Sequence, residues 1–452
     1  MFGEIGWPKP LVALLTLLLV CCAGGPGISI DAPSASNSPS MPSEVSYRVA
    51  EAPALPPAEQ DNAAYTETLT LRRAIQRALN YSPALKAARL EIDAKRGEAV
   101  QAGLRPNPDV ALTAEDVGPD DLAEYTLEFA QAFELGGKRV KRLREAQLDT
   151  SVAGWEYEAA RVQVATQAAQ TFVDVLASQE RLNVLRSSVD VAEKTKEAVA
   201  ARVKAGSASP IELDRAEVSV ARAKAAVEAE QARLEGAKRK LATLWGSSSP
   251  DFGQAEGQLA KVRVVPELGE VENFLRRNPT LTKWSEEIGR RYAALEVERA
   301  KRIPDLKLSA GVRQLEEVDS PSLVASVSIP LQVFDRNKGA IAAAQSRVAK
   351  AEQEAQAAHS ELVSSLAEAL SQLEVAAAQL HSIEQSVLPA TETAFERTKI
   401  GYTEGKFDLL SLLDAQRMVF EARLDLVNAK ADFEKAKAQV EAMIGQSLSE
   451  VR

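Results

Sequence analysis

Two periodicities divide the chain. Val110, Leu112 and Ala114 alternate with Ala111, Thr113 and Glu115, and Tyr125, Leu127 and Phe129 alternate with Thr126, Glu128 and Ala130. The alternation returns more cleanly in Leu306, Leu308, Ala310 and Val312 against Lys307, Ser309, Gly311 and Arg313. A fourth stretch sets Leu323, Ala325, Val327 and Ile329 against Val324, Ser326 and Ser328. Period two sends successive side chains to opposite faces of a strand. Four strands are therefore predicted, each with one apolar and one mostly polar face. Each runs about nine residues, the length at which a tilted strand crosses a bilayer.

Elsewhere the apolar spacing lengthens to three and four. Short helices are predicted over Leu69–Asn80 and Pro83–Leu104, with Pro83 suited to a first helical turn. Residues 155–205 contain no Gly or Pro. At about 1.5 Å per residue they predict a helix roughly 77 Å long. Val162, Ala165, Ala169, Phe172 and Leu176 form a coiled-coil seam on it, and after a break Leu182, Leu185, Val189 and Ala192 resume the pattern. A break at Gly206–Pro210 precedes a return helix through Trp245. A second long arm is predicted over 340–388, then Pro389, a break at Gly401–Gly405 and a return helix to about 444. Both return helices are amphipathic, so each arm pairs with its return as an antiparallel hairpin.

The order of these elements repeats. The segment starting Asn107-Pro108-Asp109 recurs as Ile303-Pro304-Asp305, 196 positions later, and Pro83 matches Pro279 at the same offset. Gln147 matches Gln345 at 198, and Gly206, Ala216 and Gly246 match Gly405, Ala415 and Gly445 at 199. An ordered set with a slowly drifting offset implies two copies of one unit, 67–248 and 266–448, joined by a linker over 249–265. Ahead of them, Leu11–Val20 is apolar except for Thr16 and follows Lys9. Ten residues suit a signal-peptide core better than a spanning helix. Residues 1–23 are read as that leader. Cys21 and Cys22 resemble a lipidation site, with ordinary cleavage after Ala23 as the alternative. Residues 24–66, rich in Pro, Ser and Ala, are read as a disordered tether.

Four amphipathic strands cannot close on themselves. An open sheet would leave unpaired edges in lipid, and the smallest membrane barrels have about eight strands. Several chains must pool their strands: two give eight, three give twelve. Composition narrows the chemistry. Charged residues at 26% and hydrophobic ones at 45% exclude wholesale disorder, and a net charge of -10 argues against nucleic acid as a partner. The two cysteines are adjacent and the two histidines, His359 and His381, stand apart, so neither a metal centre nor imidazole catalysis has raw material. Gly136-Gly137-Lys138-Arg139 lacks the spacing of a phosphate loop. No enzymatic activity, cofactor or metal site is expected.

Two copies of helices, strand pair and long hairpin resemble the TolC-type outer-membrane efflux proteins over about 67–448. Phe133-Glu134-Leu135-Gly136-Gly137-Lys138-Arg139 is similar to the cobalt-zinc-cadmium efflux subgroup, and Pro330–Gly339 also fits the family. The resemblance implies a mainly α fold with a transmembrane β-barrel contribution: a homotrimer with a twelve-stranded barrel in outer-membrane lipid and an α-helical tunnel through the periplasm. It also implies a periplasmic membrane-fusion adaptor, an inner-membrane RND-type pump, and divalent heavy-metal cations as cargo. A periplasmic coiled-coil adaptor or scaffold is the alternative reading.

The hairpin ends would then meet the adaptor, with Gly206 and Gly405 shaping the turns and Arg202, Ser207, Lys406 and Phe407 as contacts. Ser209 and Asp408 are placed to cap the returning helices. Asp414 matches the second of two acidic gate positions in such channels, while Ser411 stands at the first. Three copies of Asp414 around an axis would form a carboxylate ring that favours widening, protonation or cation binding. The plain alternative is an exposed charge paired with Arg417. Glu115, Asp116, Asp120 and Asp121, with Glu316, Glu317 and Asp319, fall in predicted strand-to-strand loops. They read as a negative mouth for cations or as solvated loops.

Overall fold

The computed structural model describes residues 68–115, 123–259, 265–315 and 318–448. The predicted leader with Cys21 and Cys22, the predicted tether, and Asp116, Asp120, Asp121, Glu316 and Glu317 lie outside them. The first set of elements is β1 (Thr68–Thr70), α1 (Leu71–Tyr81), α2 (Pro83–Ala102), β2 (Asp109–Glu115), β3 (Glu124–Phe133), α3 (Lys138–Lys204) and α4 (Pro210–Thr243). β4 (Gln254–Glu256) and α5 (Leu268–Val271), extended by a 3-10 turn to Arg277, lead to the second set. That set is α6 (Pro279–Ala300), β5 (Leu306–Leu315), β6 (Val318–Ser328), α7 (Lys338–Ser382), a π-helical turn (Ile383–Val387), α8 (Leu388–Thr403) and α9 (Leu409–Ile444).

The four long strands form one antiparallel sheet in the order β2-β3-β5-β6. Its register sorts the side chains by polarity. Leu112, Leu127, Val312 and Leu323 share one row, and Val110, Phe129, Ala310 and Ala325 share another on the same face. That face is bare: Val110 is 60% exposed, Phe129 52% and Leu323 83%. The opposite face carries Thr113, Thr126, Arg313 and Ser322 in one row. Polar contacts run across it, with Arg313 donating to Glu124 at 3.0 Å and the Ser309 and Ser326 hydroxyls 2.6 Å apart. A sheet exposing its apolar side is amphipathic in the sense opposite to a soluble core. β2 and β6 are its edges, each hydrogen-bonded on one side only among the described residues. The backbone of Asp319 belongs to β6 rather than to the predicted loop. Pro321 interrupts the alternation ahead of Leu323, and an edge strand tolerates proline because half its ladder is unmade.

The long arm starts earlier than predicted. α3 spans 67 residues, about 100 Å at 1.5 Å each, and passes through Gly154. A helical glycine costs only about 1 kcal/mol, which the surrounding helix formers absorb. The seam also differs from the one predicted. Val164, Ala168, Thr171, Val175, Ser178, Leu182, Ala192 and Val199 are buried, a continuous line in steps of three and four once half-buried Leu185, Val189 and Lys196 are included. The apparent break comes from Thr171 and Ser178, polar residues inside the seam. Their hydroxyls are satisfied there: Thr171 Oγ1 donates to Gln167 O at 2.7 Å, and Ser178 Oγ accepts from Arg181 at 2.7 Å.

Pro389 does not end the second arm. It lies in the first turn of α8, directly after the π-helical turn, where the missing N–H and the ring are accommodated. Helix then continues through Gly401 to Thr403, so the turn begins at Glu404. Two apolar cores hold the arms. Phe172, Leu176, Leu182, Leu234, Leu241 and Trp245 form one with Phe252 and Val427. Leu366, Leu370, Leu373, Phe433 and Val440 form the other with Val271 and Leu275. β1 and β4, too short to show alternation, pair in parallel beside the first core. Gln179 brackets β4, accepting from Ala255 N at 2.7 Å and donating to Ala255 O at 3.0 Å. No helix among the described residues is long and apolar enough to cross a membrane.

Candidate functional site at the hairpin tips

Each long arm ends in the same turn. Gly206 and Gly405 adopt φ of 74° and 73°, the left-handed region that an L side chain enters at a cost of about 1–2 kcal/mol. Behind each glycine a backbone bond closes the helix: Ser207 N donates to Arg202 O at 2.9 Å, and Lys406 N to Gly401 O at 2.7 Å. The return helices are capped as the sequence predicts. Ser209 N donates to Glu212 Oε1 at 3.4 Å with Pro210 in the first turn. Asp408 Oδ1 accepts from Ser411 N at 3.0 Å and also takes the Ser411 hydroxyl. Those two bonds hold the Asp408 carboxyl below the usual aspartate range. Ser411 is thus engaged in a helix cap.

The two tips lie against each other. The Arg202 guanidinium stacks 4.6 Å from the Tyr402 ring centre and donates to Tyr402 O at 3.1 Å. Val199, Ala216, Tyr402, Leu409 and Leu412 form a small buried core beneath. Arg202 is therefore occupied between the hairpins, and Tyr402 is the anchor that sequence reading missed. The Phe407 ring lies over Gly401, where an added Cβ would come within 2.2 Å of it and force the ring to move. Phe407 stays 50% exposed, and Ile211, Ile400 and Leu410, each within a few residues of a turn, are bare as well. These off-seam apolar residues were legible as a signal, since a solvated helix face has no use for them. Ser207 and Lys406 are exposed, with Lys406 paired to Glu404 at 2.6 Å.

Above the tips, a cavity of about 790 Å³ opens between α3, α8 and α9. Thr195, Phe395, Tyr402 and Phe420 line it, and Arg423 spans its side to Glu392 at 2.8 Å. Asp414 is exposed on α9, where Arg417 donates to it at 2.7 Å and also lies 3.5 Å from Glu421. Each chain thus presents two carboxylates and one guanidinium along this line. His359 and His381 are exposed on α7. Among the described residues no cluster of three His, Cys, Asp or Glu could hold a metal ion.

The Phe133–Arg139 segment has a structural use. Glu134 pairs with Arg142, Lys138 Nζ lies 2.8 Å from Asp305, and Leu135 N donates to the same carboxylate at 3.1 Å. It clamps the end of β3 and the start of α3 to the residue that leads into β5.

The family described as outer membrane efflux protein matches residues 74–247 and 271–446. The cobalt-zinc-cadmium resistance protein CzcC of Cupriavidus metallidurans is 34% identical over 380 residues, 84% of this chain and 90% of that protein. The nickel and cobalt resistance protein CnrC of the same organism is 29% identical over 282 residues, 61% of this chain and 67% of its own. Among solved structures, CusC superposes with a TM-score of 0.71 at 15% identity, covering 85% of this chain and 94% of that one. The outer membrane protein VceC of Vibrio cholerae gives 0.69 at 20% identity, covering 83% and 96%. The sequence matches carry kinship, and the structural ones carry the fold.

Proposed function

The chain belongs to the outer membrane efflux protein family, and from that premise we propose that three copies build one export duct, with twelve shared strands in the membrane and helical arms forming a periplasmic tunnel. The protein is an outer-membrane efflux channel. The two repeats, 67–248 and 266–448 with 249–265 between them, are its building units. Its cargo is divalent heavy-metal cations, delivered by an inner-membrane pump through a periplasmic adaptor, and it conducts them passively without chemistry of its own. The observation that carries the reading is the sheet with a bare apolar face and two open edges. A soluble scaffold would pay for that face in water without return. Strands that alternate in direction across β2-β3-β5-β6 let β6 of one copy meet β2 of the next antiparallel, so copies add head to tail until the ring closes. Mass measurement of the detergent-extracted outer-membrane protein tests this: a trimer is expected, and a stable monomer refutes it.

The adaptor docks at the tips, on Gly206, Ser207, Gly405, Lys406 and Phe407, with Arg202 holding the two turns together from inside. Gly206→Val or Gly405→Val forces a β-branched side chain into the left-handed region. Export and adaptor cross-linking are expected to fall at least tenfold while the trimer remains in the membrane. Normal export in both variants would remove these turns from the site.

Asp414 is the gate residue of this reading, with Ser411 at the neighbouring position. A duct must release what it passes, so tight metal binding is unwanted and selection belongs to the pump. Asp414→Asn removes one of two carboxylates per chain beside Arg417. Single-channel recording is expected to show a severalfold loss of cation preference at low salt that fades toward 1 M, where the screening length is about 3 Å. Unchanged selectivity at low salt would exclude Asp414 from the gate.

A further inference from the structure

The segment that follows the edge strand β6 holds its apolar side chains outward. Leu331 is 84% exposed and Phe334 is 100% exposed. The loop is pinned on both sides of Phe334, so it does not fold back. Gln332 Nε2 donates to Lys301 O at 3.0 Å, and Asn337 Nδ2 donates to Glu298 O at 2.8 Å. A fully bare phenylalanine on an anchored loop is a knob without a hole among the described residues.

A hole of the right kind lies at the foot of the other edge strand. Gln101, Ala102, Leu104, Arg105 and Pro106 line a groove of about 510 Å³ just before β2 begins. Leu104 is 51% exposed there. The register places both features at the same end of the sheet, because Asp109, Ala130, Ser309 and Ser326 share one row near the ends of their strands. The chain enters β2 and leaves β6 at that end. Among the described residues Arg105 makes no ion pair, and Asp335, next to Phe334, accepts a backbone N–H from Asn337. Arg105 and Arg142 outnumber Glu98 along the groove, so its charge suits an acidic neighbour such as Asp335.

We propose that Phe334 of one copy seats in the groove beside Leu104 of the next copy, with Asp335 facing Arg105, and that this joint locks the β6-to-β2 closure from below. The occupant is a second copy of this chain, because the joint continues the edge pairing. The inference rests on the ring reading, and its test separates the two. The full-length chain carries Phe334→Cys, Leu104→Cys or both, and is oxidised in outer membranes after its mass in detergent has been measured. The double variant is expected to give linked dimers and trimers in most of the protein, at least tenfold above either single variant. A trimer without that linkage overturns the joint and leaves the ring standing, whereas a monomer overturns both. Linkage of Phe334→Cys alone to Cys21 or Cys22, mapped by peptide mass, would show the chain's own N-terminal segment in the groove and overturn the proposal. Labelling of the 334 position by a lipid-dissolved probe in an intact trimer would do the same in favour of lipid.

Discussion

Val312→Lys is expected to empty the outer membrane of assembled protein. Val312 lies in the middle of the bare face, in one row with Leu112, Leu127 and Leu323. A lysine at mid-bilayer on a lipid-facing strand costs about 2–4 kcal/mol. In the proposed trimer the penalty is multiplied by three, about 6–12 kcal/mol if the sites act independently, comparable with the whole stability of a domain. Thr113→Lys, on the polar face, is the matched control and is expected to assemble normally. Quantifying heat-modifiable trimer in membrane fractions compares the two. Equal assembly would mean that the apolar face does not meet lipid.

Arg181→Ala is the largest expected loss in the helical part. Glu230 on α4 is 1% exposed, and Arg181 on α3 donates to it at 2.9 Å. The same guanidinium reaches Ser178 at 2.7 Å and Asn428 on α9 at 3.1 Å, so one side chain fastens three helices. Arg233 also reaches Glu230, at 3.2 Å, but it is mostly solvated and cannot fill the vacated space. Removing one partner of a buried pair costs about 3–5 kcal/mol, because the remaining charge is stranded, whereas replacing both with apolar residues is often near neutral. Denaturant unfolding of the purified assembly, followed by helical signal, should therefore show a large loss in Arg181→Ala. Arg181→Met combined with Glu230→Leu should recover at least half of it. A single variant within about 1 kcal/mol of the parent would mean the pair carries little.

Where the sequence was legible, elementary periodicity made it so. Strand alternation at Leu306–Val312 is legible because the sheet keeps apolar side chains on one face and polar ones on the other, and the glycines of the two turns stand out in otherwise glycine-poor helices. The failures have equally specific causes. Gly154 suggested a helix start because its neighbours' propensities were discounted. Thr171 and Ser178 broke the apparent seam because a hydroxyl bonded to its own helix can be buried at little cost. Glu230 reads as a surface glutamate until the fold brings Arg181 to it from 49 positions away. Tyr402 and Phe334 are single aromatics whose environments are made by distant segments. Among the candidate residues, the turns were readable locally, whereas the pairing of one tip with the other was a tertiary fact. The Asp414–Arg417 contact was readable as helical spacing; a role at a symmetry axis was not, since no pattern along one chain encodes it.

The π-helical turn has a consequence for how the second arm could have changed length. Leu366, Leu373 and Leu380 recur every seven residues, and Leu388, Phe395 and Tyr402 do so again, all buried or half-buried. The step from Leu380 to Leu388 is eight, and the wide turn at Ile383–Val387 lies inside it. One surplus residue in a regular helix would rotate everything beyond it by about 100° and carry Tyr402 away from Arg202. Here the surplus is taken up as a local bulge, so the phase of the distal rod is preserved. The arm behaves like a shaft with a keyed coupling: the wide turn absorbs one residue of length while the tip keeps its angular alignment.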